Sequence, residues 1–435
     1  MVTGLGVVAP GGVGVGAFWA LLTSGRTATV PVSLFDAGAH RSKVAAEVDF
    51  DPVAHGFTLA DTERLDRAAQ FVMVAAREAL ADSGVTSAGA PRSPAATGTP
   101  VDEIEGGGGS GPLGVCVGSA AGSVTALTSQ YALVSDFGAR RVDAGRASPQ
   151  LFDYFAPSSL AALVARQCGA RGPVSGISSG CTAGLDAIAH AGDLIREGSA
   201  EVMVAGGTEA PISPVVMACF DRIRLTTGRN GEPASACRPF DRTRDGFVLG
   251  EGAAMVVLEE LQHARRRGAH VYAEVSGYAS CSSAHHMTGL RAGGEESARA
   301  IRGALDAARL NPVDVDYVSA HGAATRPGDR HETNALKGGL GEHARRVPVS
   351  SIRSMIGHAL GAAGALDVVA GALAIKHSTV PPTANLRQPD PACDLDYTPL
   401  VAREQRTHTV LALASGFGGF HSAAVLTRPR LKETA

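Results

Sequence analysis

The chain has 435 residues and a formal net charge of −3, with 45% hydrophobic and 19% charged residues. It is too long for one minimal domain of about 100–200 residues. The near-balanced charge, without a block of Lys and Arg, argues against a nucleic-acid partner. Seven scattered cysteines without a CxxC pair indicate reduced thiols rather than a disulfide framework or a metal site.

No apolar run reaches the roughly 18 residues that a membrane-spanning helix needs. The N-terminal MVTGLGVVAPGG also lacks the basic segment and apolar core of a signal peptide. We therefore expect a cytoplasmic protein without a membrane partner. GLGVVAPGG is half of a dinucleotide-binding fingerprint, and because the GxGxxG spacing is missing we expect no nicotinamide cofactor.

The first half of the chain alternates helix and strand patterns. Apolar residues spaced three and four apart predict a helix around residues 65–80, and an apolar strand follows at 113–122. Between them, residues 84–113 are rich in Gly, Pro, Ser and Thr and nearly free of large apolar groups. A segment of this composition buries too little surface to offset its ordering entropy, so we predict a flexible surface loop.

Three blocks of the first half recur in the same order in the second. The helix, loop and strand before residue 122 recur at 300–325, residues 172–200 recur at 347–380, and residues 246–261 recur at 410–426. This duplication predicts two α/β halves, residues 1–260 and 261–435, each with a sheet covered by helices. If the halves pack about a pseudo-twofold axis, equivalent loops meet at one central cavity.

Cys181 lies in SSGCTAGLDAIAHAGDLI, where a Gly/Ser turn precedes an amphipathic helix. A cysteine at a helix start faces unpaired N–H groups, which we expect to lower the thiol pKa below its free value of about 8.5. The same N–H groups stabilise an oxyanion on an acyl group attached to the sulfur. The alternative interpretation is a buried structural cysteine.

Two histidines lie at similar junctions. His321 follows an apolar strand in YVSAHGAATRPGDRHET, and His358 lies in SIRSMIGHALGAAGA, which we align with the cysteine turn. Under that alignment Cys181 and His358 start equivalent helices. Paired histidines donate N–H groups to an oxyanion or shuttle a proton. Structural histidines are the alternative, and a Cys/His protease is disfavoured because its nucleophile motifs are absent.

Two further motifs have weaker signals. SGFGGF at 415–420 lacks the GK(S/T) ending of a phosphate-binding loop. We interpret it as a close-approach turn that carries Phe417 towards the cavity, with a purely structural turn as the alternative. In RPFDRTRDGF at 238–247 we favour a salt-bridged loop.

Six ordered motifs together resemble the β-ketoacyl synthases of the thiolase-like superfamily. They are SSGCTAGLD, AHGAAT…GDRHET, RSMIGHALGAAGA, RPFDRTRDGFVLGEGAA, VPPTANL and CDLDY. The resemblance is greatest to ketosynthase alpha subunits of bacterial aromatic (type II) polyketide synthases, which serve antibiotic biosynthesis, and it covers the chain except residues 84–113. It implies a duplicated α/β thiolase-like fold with five layers, α-β-α-β-α. It also implies an acyltransferase that performs a decarboxylative Claisen condensation without a metal or resident cofactor.

The same resemblance implies roles for individual residues. Cys181 accepts the acyl chain, while His321 and His358 stabilise the enolate formed when malonyl-carrier protein loses carbon dioxide. Backbone N–H groups of Cys181 and Phe417 form the oxyanion hole, and Phe417 also gates the acyl pocket. Glu332 and Arg353 form a supporting charged pair.

Substrate contacts are implied as well. Thr325 contacts the phosphopantetheine arm of an acyl carrier protein, and Gly416 and Gly418 border the substrate. The implied partners are the acyl carrier protein and a chain-length-factor (ketosynthase beta) subunit in a heterodimer.

Two positions depart from the family pattern. Arg353 stands where the family has the lysine of its KSxxGH motif, and arginine is larger, planar and permanently charged. Ala323 replaces the first hydroxyl residue of the HG(T/S)GT motif, and one lost hydrogen bond costs about 0.5–1.5 kcal/mol. These changes keep two alternatives open beside the fatty-acid ketosynthase homodimer: a loading subunit and a non-condensing, chain-length-factor-like partner.

Overall fold

The computed structural model of the chain describes residues 1–85 and 112–429. The surface loop predicted at 84–113 therefore lies almost entirely outside the described residues. Helices and strands alternate along both halves, as the sequence predicts.

The strands of the first half are β1 (Val2–Ala9), β2 (Gly12–Val13), β3 (Val30–Pro31), β4 (Val44–Ala46), β5 (Gly114–Gly118), β6 (Val174–Ile177), β7 (Val202–Glu209), β8 (Leu249–Gly250) and β9 (Gly252–Glu259). Its helices are α1 (Val15–Ser24), α2 (Leu59–Arg64), α3 (Arg67–Ser83), α4 (Val124–Ser135), α5 (Leu151–Phe155), α6 (Ser159–Cys168), α7 (Ala183–Arg196) and α8 (Pro214–Arg222), and α9 (Leu261–Arg266) begins the second half.

The strands of the second half are β10 (Glu274–Ser282), β11 (Tyr317–Ser319), β12 (Val349–Ser350), β13 (Thr379–Val380), β14 (Arg403–Glu404), β15 (Thr409–Gly416) and β16 (Phe420–Thr427). Its helices are α10 (Glu295–Ala308), α11 (Arg326–Leu340), α12 (Arg353–Ile356) and α13 (Ala363–His377).

Two sheets of matching topology form the framework. Within the described residues, one sheet has the strand order β2-β1-β9-β7-β5-β6 and the other has the order β10-β16-β15-β11-β12. The pairs β5–β6 and β5–β7 are parallel and β7–β9 is antiparallel. Likewise β11–β12 and β11–β15 are parallel and β15–β16 is antiparallel. Strands β1-β9-β7-β5-β6 therefore repeat as β10-β16-β15-β11-β12, which is the duplication that the sequence blocks predicted.

Helices complete five layers around these sheets. Helices α3 and α6 share an apolar core with the outer face of the first sheet. Helices α7 and α13 lie between the two sheets in the largest apolar cluster, and α10 and α11 cover the far face of the second sheet. A helix that is apolar all round belongs in such a core, and every residue of α13 from Ala363 to Ile375 is buried. The expected α-β-α-β-α layering is thus present.

The central helix also corrects the statement, made from the sequence, that no apolar run is long enough to span a membrane. The helical stretch Leu360–His377 is long and apolar enough, by composition alone, to cross a membrane. Almost all of it is buried between the two sheets, so its apolar character is explained by the protein core.

The motif at 238–247 forms the salt-bridged loop that the sequence favoured. Arg244 is buried, and its guanidinium contacts Asp329 at 2.9 Å and Asp390 at 2.7 Å. The loop is thereby tied to the start of helix α11.

Glycines allow the starts of the two central helices to approach each other. A Cβ atom on Gly184, in the first turn of α7, would lie 2.7 Å from the carbonyl oxygen of Gly361. That oxygen belongs to backbone, which has no flexible side chain to move aside. The close approach of α7 and α13 therefore requires glycine at position 184.

We expect Gly184→Ala to lower the free energy of unfolding by about 1–3 kcal/mol, because the added methyl group overpacks the helix contact. Gly192→Ala on the same helix is the matched control, since a Cβ there would meet only the end of the Arg196 side chain, at 3.6 Å. Alanine favours a helix over glycine by about 0.8–1 kcal/mol, so the control should be neutral or stabilising. Urea unfolding measures both, and equal effects would contradict the close-approach argument.

Candidate active site

Cys181 lies in a tight turn between β6 and α7. The residues Gly180–Thr182 form one turn of 3-10 helix directly before α7. Gly180 has φ +65°, a conformation that glycine adopts without steric cost. The turn places Cys181 at the N-terminal end of the central helix, as predicted, and its side chain is buried.

The two predicted histidines face this cysteine. His321 follows β11, and its ring centroid lies 5.1 Å from that of His358, with the two ring planes nearly perpendicular. The Nε2 atom of His358 lies 3.2 Å from the Cys181 sulfur. The structure thus brings together three side chains that are far apart in the sequence.

The sequence comparison matched the correct connecting segments, but the expectation that His358 is among the first residues of the equivalent helix was wrong. In the second half the equivalent 3-10 turn is Leu360–Ala362, directly before α13. Leu360 (φ +39°) occupies the place of Gly180, so Gly361 is the counterpart of Cys181. His358 instead lies in a longer connection that also contains α12, and it forms a β-bridge with Leu249. Similarity between Ala/Gly-rich segments was too weak to detect this insertion.

A cavity of about 250 Å³ surrounds the three side chains. Its wall includes the predicted residues Cys181, Ala323, His321, Thr325, Glu332, His358, Gly416 and Phe417. Apolar lining comes from Leu225, Phe247, Leu290 and Leu360, which the sequence analysis did not find. Such a wall suits an acyl chain, because it provides apolar contact with few competing polar groups.

Burial governs the ionisation of the cysteine. It raises the pKa of the Cys181 thiol to about 12, although the charge of Arg353 and the backbone N–H groups of Cys181 and Phe417 act in the opposite direction. The expectation that the helix start lowers this pKa below the free value was therefore wrong. The N–H groups do favour the thiolate, but removal of the sulfur from water is the larger effect.

The imidazoles are neutral for the same reason. Burial holds the pKa of His321 and of His358 well below the ordinary value, and the positive charge of Arg353 adds to the effect at both rings. A neutral imidazole carries one N–H donor and one acceptor nitrogen. The site therefore combines a neutral thiol with neutral imidazoles, and the Nε2 atom of His358 lies within hydrogen-bond distance of the sulfur, at 3.2 Å.

Two backbone N–H groups face the sulfur from different halves of the protein. One belongs to Cys181 and the other to Phe417, in the turn between β15 and β16. A Cβ atom on Gly416 would lie 3.1 Å from the Cys181 nitrogen, so a side chain at this position would crowd the approach. The Phe417 turn is held by the Gly418 N–H, which donates to the Met287 carbonyl at 2.6 Å. Gly418 itself lies outside the cavity wall.

Arg353 does not pair with Glu332, contrary to the expectation. Its guanidinium makes a two-point contact with Asp367, at 2.7 and 3.2 Å, and donates to the Ala320 carbonyl. Glu332 instead accepts from the backbone N–H groups of His321 and Gly322, both at 2.7 Å. Glu332 thus holds the His321 backbone in place, and the ion pair lies behind the histidines rather than in the cavity wall.

Asp367 is a site residue that the sequence analysis missed. It is the one charged side chain between Ala363 and Ile375 of the apolar helix α13, and its carboxylate also accepts from Ser319 Oγ at 3.0 Å. A lone carboxylate in an apolar helix needs a buried partner. That requirement was a usable signal for an ion pair with a basic residue nearby.

Thr325 is the N-cap of helix α11. Its hydroxyl oxygen accepts from the Gly328 N–H at 3.2 Å, and the residue also lines the cavity. The capping bond fixes the Thr325 side chain at the cavity wall.

Comparisons with known proteins agree with this architecture. Residues 1–264 match the beta-ketoacyl synthase N-terminal domain, and residues 272–387 match the C-terminal domain of the same family. The chain is 55% identical over 431 residues to the tetracenomycin polyketide synthase ketoacyl synthase alpha subunit of Streptomyces glaucescens, covering 99% of this chain and 97% of that protein.

Two solved structures are similar over almost the whole chain. One is a type II polyketide synthase acyl carrier protein in complex with its ketosynthase bound to the hexaketide. The TM-score is 0.87 with 38% identity, and the match covers 98% of both chains. The other is the ishigamide ketosynthase/chain length factor, with a TM-score of 0.84, 31% identity and 98% coverage of both chains.

The chain therefore belongs to the beta-ketoacyl synthase family, whose members are acyltransferases with the duplicated thiolase-like fold. Within that family it is a ketosynthase of the alpha-subunit type found in type II polyketide synthases. The fold class and the family that the sequence motifs implied are both confirmed.

The buried thiol leads to a prediction about pH. Alkylation requires the thiolate, so the rate at Cys181 should rise continuously from pH 7 to pH 10, because its pKa of about 12 lies above this range. Iodoacetamide labelling followed by peptide mass spectrometry measures it, with the exposed Cys219 as the internal control. A plateau at Cys181 below pH 9 would contradict the proposed neutral thiol.

Proposed function

We propose that the chain catalyses decarboxylative Claisen condensation between malonyl-carrier protein and an acyl chain held on Cys181. The observation that carries the proposal is the 3.2 Å contact between His358 Nε2 and the Cys181 sulfur, with His321 opposite in the same apolar cavity. Thioester chemistry suits such a site, since covalent storage on sulfur divides one difficult step into two easier ones.

In the first step the Cys181 thiol attacks the thioester carbonyl of an acyl-carrier protein. His358 takes the thiol proton as the sulfur–carbon bond forms, and the oxyanion accepts hydrogen bonds from the N–H groups of Cys181 and Phe417. Collapse of this intermediate breaks the bond to the carrier thiol, which leaves with the proton. The acyl chain then remains on Cys181.

In the second step malonyl-carrier protein loses carbon dioxide. The electron pair of the broken carbon–carbon bond forms an enolate, whose oxygen accepts hydrogen bonds from the N–H groups of His321 and of His358, the His358 ring now being in the tautomer that carries its proton on Nε2. Each donor contributes about 3 kcal/mol by analogy with an oxyanion-hole donor. The enolate carbon attacks the Cys181 thioester, the carbon–sulfur bond breaks, and the released thiolate takes a proton from solvent.

Arg353 supports the first step without touching the substrate. Its charge, fixed by Asp367, favours neutral imidazoles. A protonated imidazole cannot accept the thiol proton, so a permanent cation behind the rings helps the first step. Glu332 supports the second step, because its bonds to the His321 and Gly322 N–H groups orient the His321 segment.

We also propose that a second ketosynthase-type chain, a chain-length factor in a heterodimer, pairs with β6. Among residues 1–85 and 112–429 this strand is the last of its sheet, and its Val174 is exposed. The nearby segment from α4 to α5 exposes the aromatic residues Phe137, Phe152 and Phe155. An open strand edge beside exposed aromatic side chains is typical of an interface. The acyl carrier protein is the proposed substrate donor.

The free thiols support a reducing compartment. All seven cysteines are unpaired in the structure, and thiols persist in the cytosol, where disulfides are rare. We therefore propose that the enzyme acts in the cytoplasm.

The test is release of radiolabelled carbon dioxide and chain elongation from malonyl-carrier protein, with the partner subunit present. We expect wild type to do both and Cys181→Ala to lose elongation, with Cys219→Ala as an unaffected control.

Arg353→Lys should release carbon dioxide about tenfold more slowly, since lysine replaces a two-point contact by a single one. Adding Asp367→Glu to Arg353→Lys should restore the rate of carbon dioxide release, because the longer glutamate side chain can reach the amine of the shorter lysine side chain.

Other outcomes favour the alternatives. No release by wild type, with release by Arg353→Lys, would favour a loading or non-condensing role caused by Arg353 and Ala323. Products whose β-keto groups are reduced during each cycle would indicate fatty-acid synthesis, whereas retained β-keto groups indicate a polyketide.

The interface has its own prediction. We expect Phe152→Asp to weaken the dimer at least about tenfold, because it places a charge against apolar surface. Val313→Asp is the matched control, since Val313 is similarly exposed but lies in the turn before β11. Light scattering after size-exclusion chromatography, with and without the chain-length factor, measures the assembly. Unchanged assembly of Phe152→Asp would contradict the proposed surface.

A further inference from the structure

The carboxylate of Asp186 is surrounded by three hydroxyl groups. Asp186 lies in the first turn of α7, five residues after Cys181. Its Oδ2 atom accepts from Ser179 Oγ and, at 2.7 Å, from Thr182 Oγ1. Its Oδ1 atom accepts from the Tyr278 hydroxyl at 2.9 Å. None of these residues lines the acyl cavity, and none has a role in the chemistry above.

Two of the three hydroxyl groups come from residues on either side of the nucleophile. Ser179 precedes the turn Gly180–Thr182, and Thr182 ends it. The Thr182 hydroxyl also lies 2.9 Å from the Ser179 carbonyl oxygen, so residues 179–182 form a hydrogen-bonded turn that contains Cys181. The orientation of the Cys181 N–H depends on this closed turn.

The third hydroxyl group comes from the other half of the protein. Tyr278 lies on β10, where it pairs with Ala424 of β16. Strand β16 pairs with β15, and Ala424 is opposite Ala412. The turn between β15 and β16 carries Phe417, whose N–H faces the Cys181 sulfur. A single carboxylate therefore connects the turn that orients one N–H group to the sheet that carries the other.

We propose that Asp186 and Tyr278 form a positioning bridge that sets the distance between the Cys181 and Phe417 N–H groups, and so the strength of the oxyanion hole. The inference rests on the proposed role of Cys181 as the acyl acceptor. Both residues act through others and neither touches the substrate.

The hydrogen bond between the Tyr278 hydroxyl and the Asp186 carboxylate is a strong one. Burial and the nearby Asp186 charge raise the pKa of the Tyr278 hydroxyl, which therefore stays protonated and donates. A hydrogen bond to a charged acceptor is stronger than one between neutral groups. Oxyanion-hole donors must lie 2.7–3.1 Å from the developing charge, and loss of one costs about 10²–10³ in rate. A donor that is displaced but still present loses only part of this rate enhancement, so we expect Tyr278→Phe to slow acyl transfer about tenfold.

The experiment compares two reactions at the same sulfur. Acyl transfer from an acyl-carrier protein forms a tetrahedral oxyanion, whereas alkylation by iodoacetamide is a direct displacement on carbon and forms none. With Tyr278→Phe we expect acyl transfer to slow about tenfold while alkylation of Cys181 stays within about twofold of wild type. Asp186→Asn should slow acyl transfer further, because it weakens all three contacts.

Tyr272→Phe is the matched control. Its hydroxyl also donates to a carboxylate, Asp82, at 3.1 Å, but this contact is remote from the acyl cavity. Both reactions should be unchanged in this variant.

Each result decides the question. Unchanged acyl transfer in Tyr278→Phe, or an equal slowing of acyl transfer and alkylation, overturns the bridge. Should Asp186→Asn fail to fold, Tyr278→Phe still decides. A wild-type enzyme that is alkylated at Cys181 but never acylated overturns the proposed function instead, so the two failures are distinguishable.

Discussion

Exclusion of water from the buried thiol and the two imidazoles is the constraint on which this candidate site depends. Burial disfavours charge, so it keeps the Cys181 thiol protonated and both imidazoles neutral. In water, a cysteine at a helix start would ionise more readily. In the cavity the sulfur instead needs a proton acceptor in direct contact, and the Nε2 atom of His358 lies 3.2 Å away, where it can take this proton in the tautomer that leaves Nε2 unprotonated. The same low polarity strengthens each hydrogen bond to an enolate or oxyanion.

A buried cation is the counterpart of this dry cavity. Arg353 lies behind the histidines and is fixed by a two-point contact with Asp367. An unpaired buried guanidinium would be too costly to retain, and the carboxylate removes most of that cost. Because arginine does not lose its proton, the positive potential at the rings is constant over the physiological pH range. Asp367 thus provides the partner that a buried arginine at position 353 requires.

The duplicated fold explains how such a site is assembled. The two halves contribute helices α7 and α13 to the same central layer, and glycines at positions 184 and 364 let the helix starts approach each other. The halves are equivalent in topology but not in chemistry. The turn before α7 presents a thiol to the cavity, whereas at the equivalent turn the N–H of Gly361 donates to the buried carboxylate of Glu209 at 3.0 Å. The longer connection before α13 adds Arg353 and His358.

Local pattern in the sequence was sufficient for the fold class, the duplication and the three side chains that meet in the candidate active site. Strand and helix periodicity depends on neighbouring residues, and motifs such as SSGCTAGLD and RSMIGHALGAAGA are contiguous. The tertiary structure alone decided the direction in which the Cys181 pKa shifts, the partner of Arg353 and the counterpart of Cys181 in the second half. Each of these depends on distances between segments more than ten residues apart, or on the depth of burial, and neither quantity is encoded in the spacing of residues along the chain.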